Sequence, residues 1–142
     1  MSDLAKTPGA GLGAVGWILL AVGAGLFLNG VVMLFDSVRW FGLIASDTGH
    51  LNVHLVRDVG EAYATTGVAL LWGALRPGVR GPLVAVAATF LSLHALGHVY
   101  ETAVGELPHD SWLEDLPGVY LPAVLVSALA IHSLRAPATE AS

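Results

Sequence analysis

The sequence predicts an all-α integral membrane protein that folds as a four-helix bundle, with both termini on the same side of the bilayer. The 142-residue chain is 55% hydrophobic and only 12% charged, and its mean hydropathy is +0.71. Soluble domains are far more polar. Strand-like alternation is absent, and the apolar runs are too long for the strands of a barrel. Helices are therefore the only spanning structure open to this backbone.

Four apolar segments are long enough to cross a hydrocarbon layer of about 30 Å, which takes roughly 20 helical residues. They cover Leu12–Phe35, Val53–Leu75, Leu83–Val104 and Leu116–Leu134. The first exceeds the apolar core of a signal peptide, and we interpret it as a retained span. Residues 12–135 are expected to form a single bundle, residues 1–11 a flexible cytoplasmic tail and residues 136–142 a disordered tail.

The connections between the spans differ in character. Residues 39–51 combine Trp40 and Phe41 with polar residues, which indicates a short interfacial segment over the mouth of the bundle. The second and third spans are joined by a tight break at Arg76-Pro77-Gly78. Residues 106–117 form an acidic loop that holds His109. In a four-span bundle, the two longer loops lie at the same end.

The charged residues favour one orientation and exclude some classes of protein. Lys6, Arg76, Arg80 and Arg135 fall on one side of a four-span arrangement, and this side is predicted to be cytoplasmic. There is no cysteine, which excludes disulfides and thiolate metal sites. There is also no basic patch, so nucleic acid is not an expected partner. The expected partners are the lipid bilayer and a lipophilic small molecule.

Two matched polar triads interrupt the apolar spans. They are His54-x-x-x-Asp58-x-x-Glu61 in the second span and His94-x-x-x-His98-x-x-Glu101 in the third. On a helix, positions i, i+4 and i+7 fall within about 60° of one another, so each triad forms one narrow polar stripe. Ionisable groups within a membrane are costly, and they nearly always face the bundle interior and serve a site.

The two triads together predict a metal site near the outer face of the membrane. If the second and third spans form an antiparallel hairpin, three rungs result: His54 with Glu101, Asp58 with His98, and Glu61 with His94. Each rung joins a carboxylate to an imidazole, a donor set that suits one or two ions of Fe, Zn, Mn or Cu(II). The candidate metal ligands are His54, Asp58, Glu61, His94, His98 and Glu101, with Asp36, His50, Arg57 and His109 as additional ligands or supporting partners.

A metal site of this kind leaves the activity open. It would serve an oxidoreductase acting on a lipophilic substrate only if the metal keeps an open coordination position. The alternative is a non-enzymatic membrane subunit, or a carrier of protons or solutes, in which the rungs are a structural or proton-relay network. Haem or quinone binding is a third interpretation, and it is less favoured because His94 and His98 lie one turn apart on one helix. A homo-oligomer is compatible with each interpretation.

The second span carries a resemblance to a known family. Its pattern is Arg57-x-x-Gly60-x-x-Tyr63-x-x-x-Gly67-x-x-Leu70-Leu71-x-Gly73-Ala74-Leu75-Arg76-Pro77. This pattern resembles the second span of small DoxX-like four-helix membrane proteins. The resemblance implies the four-helix architecture and says little about activity, and the two triads are not a feature that it carries over.

Overall fold

The computed structural model describes residues 12–46, 48–108 and 110–135, and these residues form helices and short connections without any strand. The all-helical class predicted from the sequence is confirmed. The two predicted tails, residues 1–11 and 136–142, lie outside the described residues. The α-helices are α1 (Ala14–Phe35), α2 (Ser37–Ile44), α3 (Val53–Leu75), α4 (Arg80–Val104), α5 (Ser111–Asp115) and α6 (Leu121–Arg135).

The four predicted spans correspond to the four long helices α1, α3, α4 and α6. Within the described residues, three helical segments are long and apolar enough to cross a membrane: Ala14–Phe35, Pro77–Val104 and Ser111–Arg135. The third of these includes α5 and a π-helical turn at Leu116–Tyr120. Helix α3 has 23 residues and matches α1 in length, but its first half carries the charged triad.

Local capping explains where the long helices begin and end. Helix α3 begins after Asn52, whose side chain accepts a hydrogen bond from the Leu55 N–H at 3.1 Å. It ends before Pro77, and the Arg80 Nε donates to the Gly73 carbonyl at 3.0 Å. Helix α4 ends at Gly105, which adopts a left-handed conformation with φ of 80°, a conformation that glycine accepts without steric cost. The short connection between Leu75 and Arg80 brings α4 back against α3.

Helices α1 and α3 form the most closely packed pair, and glycines make this packing possible. A Cβ at Gly30 would lie 2.5 Å from both the Ala64 nitrogen and the Gly60 carbonyl oxygen, and a Cβ at Gly67 would lie 2.5 Å from the Phe27 nitrogen. The two backbones therefore touch directly, as small residues allow in helix pairs. Residue numbers rise along α1 as they fall along α3, so the pair is antiparallel over its whole length.

The remaining helices complete a ring that is less closely packed on one side. Helix α4 packs on α3 and on α6, and the Ser92 and Ser127 hydroxyls join α4 to α6 at 3.1 Å. Helices α1 and α6 meet at only a few positions. The buried core consists of Leu19, Leu26, Met33, Leu70, Val84, Leu91 and Val126, among others. The loose contact between α1 and α6 leaves space inside the bundle.

The two short helices lie at the end of the bundle that holds this space. Helix α2 packs on α1 and α3, and its Trp40 Nε1 donates to the Asn29 Oδ1 at 2.9 Å. Helix α5 packs on α4 and on the π-helical turn. Among the described residues, no Cα of α2 lies within 8 Å of a Cα of α5. The two short helices therefore make no direct backbone contact with each other.

Candidate functional site

A cavity of about 860 Å³ occupies the loosely packed side of the bundle, beneath α2 and α5. Its volume lies within the range of small-molecule sites, and most of its wall is apolar. The residues that line it come from every helix: Val22, Gly25, Leu26, Asn29, Trp40, Leu43, Ile44, Ala45, Thr48, Val59, Tyr63, His94, His98, Leu107, Ser111, Glu114, Asp115, Pro117, Gly118, Val119 and Pro122. Eight of these 21 residues are polar or ionisable: Asn29, Thr48, Tyr63, His94, His98, Ser111, Glu114 and Asp115.

The strongest polar contact in the cavity wall joins His98 of α4 to Asp115 of α5. The His98 Nδ1 lies 2.7 Å from the Asp115 Oδ2, and the two side chains are only 21% and 19% exposed. A carboxylate accepts hydrogen bonds, so Nδ1 donates in this contact; Nε2 is an acceptor when the ring is neutral and a donor when it is protonated. His98 can therefore accept a proton or hydrogen bond from a bound hydroxyl group or, once protonated, donate one to a carbonyl.

His94 lies beside this pair in an aromatic cluster. Its ring centroid is 4.7 Å from that of His98, and the two rings meet edge to face. The Tyr63 ring contacts it edge to face at 5.5 Å, and the Phe90 ring stacks on it at 6.1 Å. These aromatic contacts fix the orientation of the His94 ring. His94 and His98 thus present two adjacent imidazoles to one cavity.

The opposite wall of the cavity is polar at Asn29. Its amide oxygen accepts the Trp40 hydrogen bond, and its amide nitrogen lies 3.5 Å from the Met33 sulfur. Asn29 therefore holds α2 in place over the cavity as well as lining it. The contact joins α1 to α2, a use of Asn side chains that is common between membrane helices.

The π-helical turn shapes the wall between α5 and α6. The Leu121 N–H donates to the Leu116 carbonyl, five residues back, instead of four as in an α-helix. Pro122 has no N–H with which to bond the Gly118 carbonyl, so the α-helical pattern is interrupted here. Turns of this kind are frequent at functional sites. Here the turn carries Pro117, Gly118 and Val119 along the cavity.

The first triad lies outside this cavity. The His54 and Asp58 side chains are 88% and 53% exposed, with 3.6 Å between Nδ1 and Oδ1, and Glu61 is also exposed. The reason is the packing of α3, whose interior face consists of Gly60, Tyr63, Gly67 and Leu70. Tyr63 lies on the side of α3 opposite the triad, so the triad turns away from the bundle.

The predicted rungs are therefore not formed, which corrects the hairpin geometry expected from the sequence. His98 pairs with Asp115 instead of Asp58, and His94 packs against Tyr63 instead of Glu61. Glu101 is half-buried near the end of α4, whereas His54 is exposed. An antiparallel hairpin places the paired residues at the same depth. Two side chains at the same depth meet only if both helices also turn them toward each other.

The other predicted ligands are also scattered. Asp36, His50 and Arg57 are exposed and lie outside the cavity wall, and His109 lies outside the described residues. Across residues 12–46, 48–108 and 110–135, no three His, Asp or Glu side chains are placed so that they could hold a metal ion together. Metal binding, and the choice among Fe, Zn, Mn and Cu(II), stays a prediction of the sequence.

Sequence reasoning missed Asp115 and Tyr63 as site residues. Asp115 belongs to the acidic loop of residues 106–117, and its position just before Leu116-Pro117 was the available signal. Tyr63 lies on the side of α3 away from the triad, where it is buried and lines the cavity, because the triad points outward.

Comparisons with known proteins add no family assignment. Neither protein-family models, nor curated proteins, nor solved structures gave a match to this chain. The resemblance of the second span to DoxX-like proteins stays a prediction. The residues that carry it include Gly60, Tyr63, Gly67 and Leu70, which all lie on the buried face of α3. A pattern of this kind follows from helix packing.

Proposed function

We propose that this chain is an integral membrane protein that binds a small lipophilic molecule with a polar hydroxyl or carbonyl end. The observation that carries this proposal is the cavity of about 860 Å³, apolar over most of its wall and polar at the His98–Asp115 pair. The three long apolar helical segments support a location in the bilayer, from which such a molecule would be drawn.

The His98–Asp115 pair gives the site its selectivity. Asp115 orients the His98 imidazole through Nδ1 and leaves Nε2 for the ligand. A hydrocarbon of the same size would enter the cavity but would leave Nε2 of this imidazole without a partner, which costs free energy in an apolar surrounding. The site is therefore expected to prefer lipophilic alcohols, phenols or carbonyl compounds over alkanes.

Among the functions that the sequence allows, ligand binding at this site is closest to the non-enzymatic carrier. A single imidazole and carboxylate can move a proton to or from a bound ligand, as a general acid or base does. An oxidoreductase would need a redox group in addition, and the metal that the sequence predicts would have to supply it. Elemental analysis of the purified protein tests separately whether such a metal is bound.

Ligand titration of the purified protein in nanodiscs tests the proposal. The probes are a medium-chain alkylphenol and an alkane of matched carbon number, and the measurements are the melting temperature and tryptophan fluorescence, since Trp40 lines the cavity. We expect the alkylphenol to raise the melting temperature and change the fluorescence, and the alkane to do so weakly. His98→Ala should reduce the affinity for the alkylphenol toward that for the alkane.

A pair of glycine variants shows whether the cavity is the binding site. A side chain at Gly25 would meet no atom within 4 Å at its Cβ and would project from the cavity wall. Gly25→Leu should therefore narrow the cavity and weaken binding without disturbing the fold. Gly42→Leu is the matched control, because Gly42 is equally open but lies outside the cavity wall. Equal alkylphenol affinity in both variants would refute the assignment.

A further inference from the structure

The exposed face of α3 carries a polar stripe that the cavity does not use. Its members are His54, Asp58, Glu61 and Thr65, with Arg57 beside them, and all five are exposed. At about 100° per residue, the first four lie within roughly 60° of one another around the helix. The stripe begins at the first turn of α3 and continues to its middle. Tyr63, which lines the cavity, is on the opposite side.

Few of the charges on this stripe are paired with an opposite charge within the chain. Its one ion pair among the described residues is the contact of 3.6 Å between His54 and Asp58. Arg57 and Glu61 make neither an ion pair nor a side-chain hydrogen bond to any other described residue. A charged side chain facing hydrocarbon costs about 2.5–3.5 kcal/mol near the centre of a bilayer. If α3 lies beside α1 in the bilayer, this face needs a polar cover.

The charges on the stripe make it complementary to itself. His54 and Arg57 supply positive or proton-donating groups, and Asp58 and Glu61 supply negative ones, each four residues further on. In a two-fold dimer the same surface of both copies meets. Two parallel α3 helices in register would then place Arg57 of each copy about one helical turn along the axis from Glu61 of the other. Below the charged part, the face continues with the exposed apolar residues Val68 and Trp72.

We propose that the polar stripe of α3 is the interface through which a second copy of this chain binds, with the two α3 helices parallel and in contact. This inference rests on one observation. Charges of both signs lie together on the exposed face of α3, a helix that packs against an apolar span. The interface lies on the side of α3 away from the cavity. Dimer formation and ligand binding can therefore be tested independently.

Cysteine cross-linking in native membranes tests the interface, because the natural chain has no cysteine. Thr65→Cys places a single thiol on the stripe without changing its charges. Leu93→Cys is the control, since Leu93 is 65% exposed near the middle of α4. After mild oxidation, we expect a disulfide-linked dimer of Thr65→Cys and only a background band for Leu93→Cys.

Charge exchange provides a second readout that packing alone would not produce. Arg57→Glu and Glu61→Arg should each abolish the Thr65→Cys dimer band, because like charges then face each other across the interface. The double variant R57E/E61R should restore the band, because both copies exchange their charges together. If one single variant fails to accumulate, the cross-linking of Thr65→Cys and its mass in nanodiscs still decide the question.

Three results would overturn the proposal. The first is equal cross-linking of Thr65→Cys and Leu93→Cys together with the mass of one chain in nanodiscs. The second is a Thr65→Cys product whose mass shows a different protein as the partner. The third is rapid labelling of Thr65→Cys by a membrane-impermeant maleimide, which would show that the stripe faces water.

Discussion

The contact between His98 and Asp115 is the point at which individual residues decide the character of the site. The two side chains belong to different helices and meet at 2.7 Å in a largely apolar wall. Each polar group is satisfied mainly by the other, so removal of one leaves the other without its partner. The pair should therefore behave as a unit in stability as well as in binding.

A double-mutant cycle on this pair measures that coupling. We expect His98→Ala and Asp115→Ala each to lower the free energy of unfolding, and the double variant to lower it by less than their sum. The expected coupling is about 1 kcal/mol, since polar pairs in membrane proteins contribute roughly 0.6–1.7 kcal/mol. The measurement is equilibrium unfolding in mixed micelles of mild detergent and sodium dodecyl sulfate.

A second cycle supplies the control for this coupling. Asp110→Ala removes an exposed carboxylate just before α5 that makes no hydrogen bond or ion pair with His98 among the described residues. Its effect should add to that of His98→Ala, as expected for independent sites. Additive effects in the His98–Asp115 cycle as well would contradict the pairing.

At this scale the sequence predicted some of the site and missed the rest for a definable reason. Helical spacing predicted that His94 and His98 share a face, and their rings do lie 4.7 Å apart. Spacing says nothing, however, about which face of a helix turns inward. On α3 the buried face is chosen by Gly60 and Gly67, which let α1 approach. The charged residues of α3 therefore lie on its exposed face. The cost of a charge in a membrane had predicted that they would face the interior of the bundle.

Among the structural elements, the pair α1–α3 sets the geometry on which the cavity depends. Its helices touch at backbone distance through Gly23, Gly30, Gly60 and Gly67. This close contact holds Asn29 and Tyr63 at fixed positions on two walls of the cavity. Helices α4 and α6 are joined at Ser92 and Ser127, whereas α1 and α6 meet at only a few positions.

Substitution of one of these glycines should separate the pair. In Gly67→Ala, the added methyl group would lie 2.5 Å from the Phe27 nitrogen and 2.7 Å from the Gly23 carbonyl oxygen, and backbone atoms cannot move aside cheaply. We expect a loss of about 1–3 kcal/mol in unfolding free energy, as for other overpacked sites. Unfolding in mixed micelles measures it.

Gly97→Ala is the matched control for this prediction. Gly97 lies within α4, and a Cβ there would meet no atom within 4 Å. Its substitution should leave stability unchanged or raise it slightly, because alanine is the better helix former. A Gly67→Ala protein as stable as the Gly97→Ala protein would contradict direct backbone contact between α1 and α3.

Element boundaries were well predicted because length and apolarity report directly on helices. Val53–Leu75 was predicted and is observed without change, and Leu12–Phe35 differs from α1 by two residues at its start. The fourth predicted span began at Leu116, where the structure has a π-helical turn before α6. Hydropathy does not distinguish these helix types. The turn follows from the two prolines, Pro117 and Pro122, which interrupt the hydrogen-bond pattern.

For the whole molecule, hydropathy and helix packing predict different numbers of membrane crossings. Hydropathy alone supports three long helical segments, and α3 differs from them by its polar first half. Packing supports a fourth. Helix α3 lies antiparallel to α1 from Gly60 beside Gly30 to Ala74 near Gly16, so it occupies the same layer as α1. Any bilayer that α1 crosses must therefore also contain most of α3.

The number of crossings determines where the two ends of the chain lie, and this is the last prediction. With four crossings, reporters fused to the two termini lie on the same side, and with three they lie on opposite sides. The clustering of Lys6, Arg76, Arg80 and Arg135 predicts that this common side is the cytoplasm. We therefore expect green fluorescent protein to fluoresce, and alkaline phosphatase to stay inactive, at either terminus in bacteria. Phosphatase activity at one terminus alone would indicate three crossings. The polar stripe of α3 would then face water or the membrane surface, and the reason for covering it with a second copy would disappear.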